Sequence, residues 1–256
     1  MKRITSLLLS LALLLTLFAL PAFAEPAEFT TFEDAFKTWT GDWAGKGALK
    51  MRLKDNTMTF DYRPAFYFDK SYGFTDEEKQ SMVEDCAACY QRWAGTYDIR
   101  GHELTIEVNV TPEITDSKLC ANVQFLPEFG VITTMVPGCL IWNRNRCSTV
   151  YYRAHDMYRL KSYVAAHEFG HVLGLFDAYG YDNHFAKYGA IGEWLGSLLP
   201  EATLDRAPSN CMMRGGQYVS ATEAEMLLYA WKNNRLQLYM RSVLRFLGAQ
   251  ESPVFG

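Results

Sequence analysis

His167-Glu168-Phe169-Gly170-His171-Val172-Leu173-Gly174-Leu175-Phe176-Asp177 is the stretch on which the reading of this chain turns. Leu160, Val164, His167 and His171 stand at i, i+4, i+7 and i+11, so on a helix both histidines continue one apolar stripe. A helix is expected from about Asp156 to Leu173. His-Glu-x-x-His sets two imidazoles one turn apart, where they can chelate a single ion with a carboxylate beside them. Two histidines fill only part of a tetrahedral shell, and a straight helix would carry the next residues away from the ion. Gly174, free to adopt positive φ, can end the helix and turn the chain back. A ligand-capable Asp177 follows three residues later.

Working outward, the preceding chain is rich in strand signals. Thr57 to Asp69 is dense in Phe, Tyr and Thr, and Glu103 to Val110 alternates Leu104, Ile106, Val108 and Val110 against polar neighbours. Ala121 to Phe125, Gly130 to Val136 and Leu140 to Tyr152 read as further strands between Pro, Gly and Asn turns. A helix is expected over Asp76 to Trp93 with Thr75 as its N-cap. After the motif, Ser220-Ala221-Thr222-Glu223 has the form of a capping box opening a long helix to about Leu247. The pattern implies an α+β fold in a single compact domain, strands first and helices mostly after.

Hydrophobic residues make up 49% of the 256 residues and charged residues 21%, which excludes disordered, collagenous and coiled-coil classes. Lys2 and Arg3 precede an apolar run from Ile4 to Leu20, and Ala22-Phe23-Ala24 has the small-x-small form of an export cleavage site. Residues 1–24 are therefore read as a signal peptide and the protein as secreted, in preference to a transmembrane anchor. Removing the two basic residues takes the net charge from -4 to -6, a balance with no footprint for nucleic acid and none for a stable membrane association. Six cysteines in an exported chain suggest disulfides, with Cys139 and Cys147 the best cross-strand pair. Residues 25–56, centred on Trp39-Thr40-Gly41-Asp42-Trp43, form an N-terminal extension, either a hairpin on the main domain or a prosegment, ahead of a catalytic domain at 57–256.

The eleven residues from His167 to Asp177 resemble the zinc-binding consensus of the metzincin metalloproteases, in the variant where Asp replaces the third His, as in snapalysin-like secreted proteases. Ser209-Asn210-Cys211-Met212-Met213-Arg214-Gly215-Gly216 is similar to the family's Met-turn, with Met213 the turn methionine and Met212 the alternative. The order of strand, helix near Trp93, strands and zinc helix is also similar to a matrixin catalytic domain. This resemblance implies a twisted mixed sheet of about five strands with an active-site helix and a C-terminal helix. It implies that His167, His171 and Asp177 hold Zn2+, that Glu168 is the general base acting on a water, and that protein or peptide substrates lie extended along an edge strand, for which Gly130 to Pro137 is the candidate. Arg214 to Val219 would wall the pocket beyond the cut. Two features depart from the family: Gly215 stands where some members carry a tyrosine, and there is no cysteine-switch prosegment.

Other readings stay open on the residues alone. Asp182 is a rival third ligand, and His102, His155 and His184 are read as surface or structural. Cys86-Ala87-Ala88-Cys89 falls inside a helix and reads as structural, and Asn109-Val110-Thr111 is a glycosylation sequon on a strand. Gly138-Cys139-Leu140 with His-Glu-x-x-His would suit a deformylase-like hydrolase. An exported, non-catalytic zinc-containing binding protein is the remaining alternative.

Overall fold

The computed structural model describes residues 32, 39–43, 48–126, 134–135, 150–153, 163–178, 210–233, 235–239 and 250–255. The expected signal peptide, the Cys139–Cys147 pair, Asp182, His155, His184 and the Gly138-Cys139-Leu140 run lie outside them.

The chain is α+β, and its described residues form two five-stranded sheets, one two-stranded sheet and three α-helices. The first sheet contains β1 (Trp39–Trp43), β2 (Leu49–Lys54), β3 (Thr57–Tyr62), β5 (Gly95–Ile99) and β6 (His102–Val110), in the order β1-β2-β3-β6-β5. All neighbours there are antiparallel except β3 and β6. The second contains β4 (Ala65–Phe68), β7 (Glu113–Ile114), β8 (Val123–Leu126), β9 (Thr134–Met135) and β10 (Val150–Arg153), in the order β7-β4-β8-β10-β9. Its strands are parallel apart from β9, which pairs antiparallel with β10.

Two prolines divide these sheets. Thr57 faces Thr105 and Ala65 faces Glu113, the same offset of 48 residues, so β3–β4 and β6–β7 form one long parallel pair. At that offset Pro64 stands opposite Pro112. Proline has no N–H to give the ladder, so both strands leave the first sheet together and enter the second. The single strand expected over Thr57–Asp69 is thereby broken in two.

Helix α1 (Asp76–Tyr90) begins at Thr75, whose Oγ1 accepts from Glu78 N at 3.2 Å while Thr75 N donates to Glu78 Oε2 at 2.8 Å. This reciprocal box satisfies two backbone donors, and three acidic residues in the first turn complement the helix dipole. A 3-10 turn carries the chain on through Trp93. Cys86 and Cys89, one turn apart on α1, are thiols, as are Cys120 and Cys211, and burial raises the pKa of Cys86 and Cys89. The β5–β6 hairpin turns on Arg100 and Gly101, both at positive φ, the geometry of a type I′ loop.

Helix α2 (Ala165–Leu173) carries the histidine motif and is buried along its whole length. Phe169 on its back face meets Tyr90 of α1 at 4.7 Å and Tyr62 of β3 at 5.1 Å between ring centroids. Helix α3 (Ala221–Asn233) packs Trp231 on Phe60 of β3. The sequence pattern suggested a helix running on to Leu247, but α3 ends at Asn233. Arg235 N bonds back to Ala230 O, and Gln237 and Leu238 become β11, paired with β12 (Gln250–Glu251) and bridged to Leu175. Among the described residues no helix is long and apolar enough to cross a membrane.

Candidate metal centre

Two indoles fix α2 in place. Trp93 Nε1 donates to Ala166 O at 2.7 Å and Trp231 Nε1 donates to Leu173 O at 3.0 Å, the second satisfying a carbonyl that the helix end leaves without a partner. Gly170, on the turn between the histidines, allows the closest approach. A Cβ there would meet Trp93 Cζ2 at 2.6 Å and run into Met213 Sδ, so the methionine sulfur lies against the bare backbone of the motif helix.

Gly174 ends the helix with φ 114°, its N–H bonding to Gly170 O and His171 O, and Leu175 N also returns to Gly170 O at 3.0 Å. This turn brings the Leu175 carbonyl to His171 Nδ1 at 2.8 Å and Asp177 to both histidines. Asp177 Oδ1 lies 3.0 Å from His167 Nε2 and 3.3 Å from His171 Nε2. The positive-φ glycine and the returning aspartate expected from the sequence are both present.

The histidine tautomers follow from their partners. His167 Nδ1 lies 2.9 Å from Met212 O and His171 Nδ1 lies 2.8 Å from Leu175 O, and a carbonyl can only accept. Each Nδ1 therefore carries the proton. In the neutral ring each Nε2 then presents a lone pair, and it presents it to a carboxylate, which also offers only lone pairs. Such a convergence requires a cation at its centre, either protons on the rings or a metal. Without a metal, burial works against the charged imidazolium of His171, but the Asp177 carboxylate outweighs it and pushes the pKa up to about 9. Burial likewise opposes the shift at His167, and its bond to Asp177 raises the pKa. For Asp177 burial favours the neutral acid, yet the two imidazoles hold it well below the usual carboxylate range.

His167, His171 and Asp177 can hold a metal ion: one ligand atom from each lies within 4.8 Å of the others. Two bonds of about 2.0–2.1 Å at a tetrahedral angle put ligand atoms roughly 3.3–3.4 Å apart, and the carboxylate oxygen is 3.0 and 3.3 Å from the two nitrogens. Among the described residues this is the one such group. Glu168 is buried at 5% exposure, and its Oε2 has no hydrogen-bond partner among the described residues. Burial raises its pKa, opposed by the charges of His171 and His167.

Beneath the histidines, Met212–Arg214 form a 3-10 turn closed by Gly215 at φ 82°, with Met212 and Met213 fully buried. Met213 meets the motif helix through its sulfur, and Met212 meets it through its carbonyl, so the two methionines divide the contact. Cys211 beside them is not part of the ligand cluster, and burial and the nearby Glu223 carboxylate push its thiol up to about 12. His102 sits on β6 with its ring edge-on to Phe32, away from the cluster.

Sequence reasoning treated Glu223 as a capping-box residue only. Its box is formed, with Ser220 N donating to Oε2 at 2.8 Å and Glu223 N to Ser220 Oγ at 3.1 Å. The same carboxylate also accepts from Met212 N, Met213 N and Tyr239 Oη. Gly170 and Trp93 were likewise given no role at the site. The glycine at the second variable position of the motif was the available signal for close packing there.

Comparison with protein-family models, with curated proteins and with solved structures finds no match for the chain. The functional reading rests on the geometry of these residues.

Proposed function

We propose that the protein is a secreted, zinc-dependent endopeptidase of metzincin type. The observation that carries this reading is the convergence of two imidazoles, each with its proton committed to a backbone carbonyl, on one carboxylate oxygen, with Glu168 buried beside them and its Oε2 without a partner among the described residues. A site built only to store a metal has no use for a second buried carboxylate. Two nitrogens and one oxygen are a donor set that suits zinc and leaves a coordination position for solvent or substrate.

Zinc, when bound, would polarise a scissile carbonyl and acidify a water. Glu168 would accept the proton from that water and return it to the departing amine; its raised pKa suits a group that must do both near neutral pH. His167 and His171 are held by Met212 O and Leu175 O in the tautomer that turns Nε2 toward the ion. The extended substrate would add to the sheet at β9, the antiparallel strand that closes the order of the second sheet. Residues following the turn, with Tyr218 half-exposed among them, would border the side chain beyond the cut.

Purified protein assayed for bound metal and incubated with a denatured protein and a peptide library tests this, beside the Glu168→Gln variant. Stoichiometric zinc in both forms, with cleavage by the wild type alone, is expected. Zinc with no cleavage by either would overturn the peptidase reading in favour of a zinc-containing binding protein.

A further inference from the structure

We propose that Glu223 is a positioning residue for the metal ligand His167, acting through the Met212–Met213 peptide group. The carbonyl of that peptide accepts from His167 Nδ1 at 2.9 Å, and its N–H donates to Glu223 Oε1 at 2.7 Å. One rigid, planar unit thus joins a buried carboxylate to the ring of a metal ligand. A negative charge at the N–H end polarises the amide and strengthens its carbonyl as an acceptor. The imidazole behind it becomes a better donor to a metal and is held in one ring orientation.

A capping box does not require this. The box uses the Ser220 N–H and the Glu223 N–H, whereas Glu223 receives bonds from Met212 N at 3.3 Å, Met213 N at 2.7 Å, Ser220 N at 2.8 Å, Ser220 Oγ at 3.1 Å and Tyr239 Oη at 3.2 Å. Glu223 is fully buried, and all these donors converge on its two oxygens. The second histidine provides an internal comparison. Leu175 O accepts from His171 Nδ1 at 2.8 Å, and the N–H of the same peptide, Phe176 N, donates to the Gln237 carbonyl at 3.0 Å. Both ligand-orienting peptides are therefore gripped by the segment from Ser220 to Tyr239, one by a carboxylate and one by a neutral carbonyl. The two histidines are inequivalent, and Glu223 is the source of the difference.

This inference rests on the metal-site reading, so its test includes a measurement made without metal. In the chelated protein, exchange of the His167 Nδ1 proton is followed by long-range nitrogen–proton correlation NMR, with His171 as internal reference. Cobalt(II) and zinc affinities and the cobalt d–d spectrum are then measured. Glu223→Gln has one acceptor oxygen where the wild type has two and turns an NH2 toward donors. It is expected to speed His167 Nδ1 exchange at least tenfold, leave His171 within about twofold, shift the cobalt spectrum and weaken metal binding about 10–100-fold. Tyr239→Phe, which removes one donor and keeps the charge, gives a smaller change in the same direction and serves if the first variant fails to fold. A folded variant with lowered thermal stability but wild-type His167 exchange and an unchanged cobalt spectrum would overturn the proposal, leaving Glu223 a cap. Wild-type protein that binds no metal would sink the peptidase reading, while the exchange measurement still decides this one.

Discussion

Replacing Gly170 by alanine tests the packing under the motif helix through the sign of its effect. In an ordinary helix interior, glycine to alanine stabilises by roughly 0.5–1 kcal/mol, because glycine loses more backbone freedom on folding. Here the added methyl would lie 2.6 Å from Trp93 Cζ2 and 3.2 Å from Cη2, and would also meet Met213 Sδ. The thioether can swing aside, but the indole cannot: Trp93 is fully buried and its Nε1 is bonded to Ala166 O on the same helix. Overpacking of this kind costs about 1–3 kcal/mol. Set against the propensity gain, Gly170→Ala should destabilise the protein by roughly 1–2 kcal/mol. At about 2–4 °C per kcal/mol for a domain of this size, Tm should fall by about 2–8 °C. Thermal and urea unfolding followed by tryptophan fluorescence would measure it. In a Trp93→Phe background, which lacks the colliding edge, the same substitution should cost at least 1 kcal/mol less, the coupling expected of residues in contact. A Tm that rises, or a cost unaffected by the Trp93 substitution, would refute the close approach.

Other perturbations probe the site electrostatics. Asp177→Asn removes the charge that both imidazoles face, and should lower metal affinity by at least 10–100-fold in a competition assay, more than the loss of an outer-sphere partner. With His171 raised to about 9 by Asp177 in the metal-free protein, its contribution to stability is fully present below its ordinary value of 6.5 and is lost as pH rises through about 9. Urea midpoints of chelated protein should therefore fall between pH 6.5 and 9.5. Metal affinity should rise by about tenfold per unit up to about pH 9 and level off above it, because the metal must displace that proton; a flat profile would count against the converging lone pairs. Arg100 on the β5–β6 hairpin reaches Glu225 of α3 at 2.8 Å, and Glu225 is buried. With Arg100 about a third exposed, Arg100→Ala should cost roughly 1–3 kcal/mol, less than for a fully buried pair, as read by denaturant unfolding.

Local signals carried the sequence reading furthest. The Thr75 N-cap, the Ser220–Glu223 box, the positive-φ Gly174 and the return of Asp177 each depend on residues within a few positions of one another, and each is present. Features set by distant partners were not legible. The alternation in β6 identified a strand but could not tell that it pairs in parallel with β3 and bends where Pro64 faces Pro112, so two sheets were taken for one. Helix propensity continues past Asn233, and what stops α3 is tertiary: Gln237 N bonds to Gly174 O, and Trp231 ties the helix to Leu173. Residues 49–54, which the sequence left as either a hairpin on the main domain or part of a prosegment, are buried on alternate positions in β2 and pair with β3. Glu223 was legible as a cap from its spacing to Ser220, but its bonds to Met212, Met213 and Tyr239 come from three-dimensional approach alone.

The placement of the ligand-orienting carbonyls also has a bearing on timing. His167, His171 and Asp177 leave the ribosome close together, whereas Met212 follows 45 residues after His167 and the carboxylate and tyrosine that steady it come later still. A nascent chain halted before residue 210 would own every ligand yet have no carbonyl to hold the first imidazole. Its metal should be loosely held and readily stripped by a chelator, which pulse-chelation of stalled chains of increasing length would reveal. The capacity to hold a metal firmly would then arrive late in synthesis, once the segment through Tyr239 has emerged.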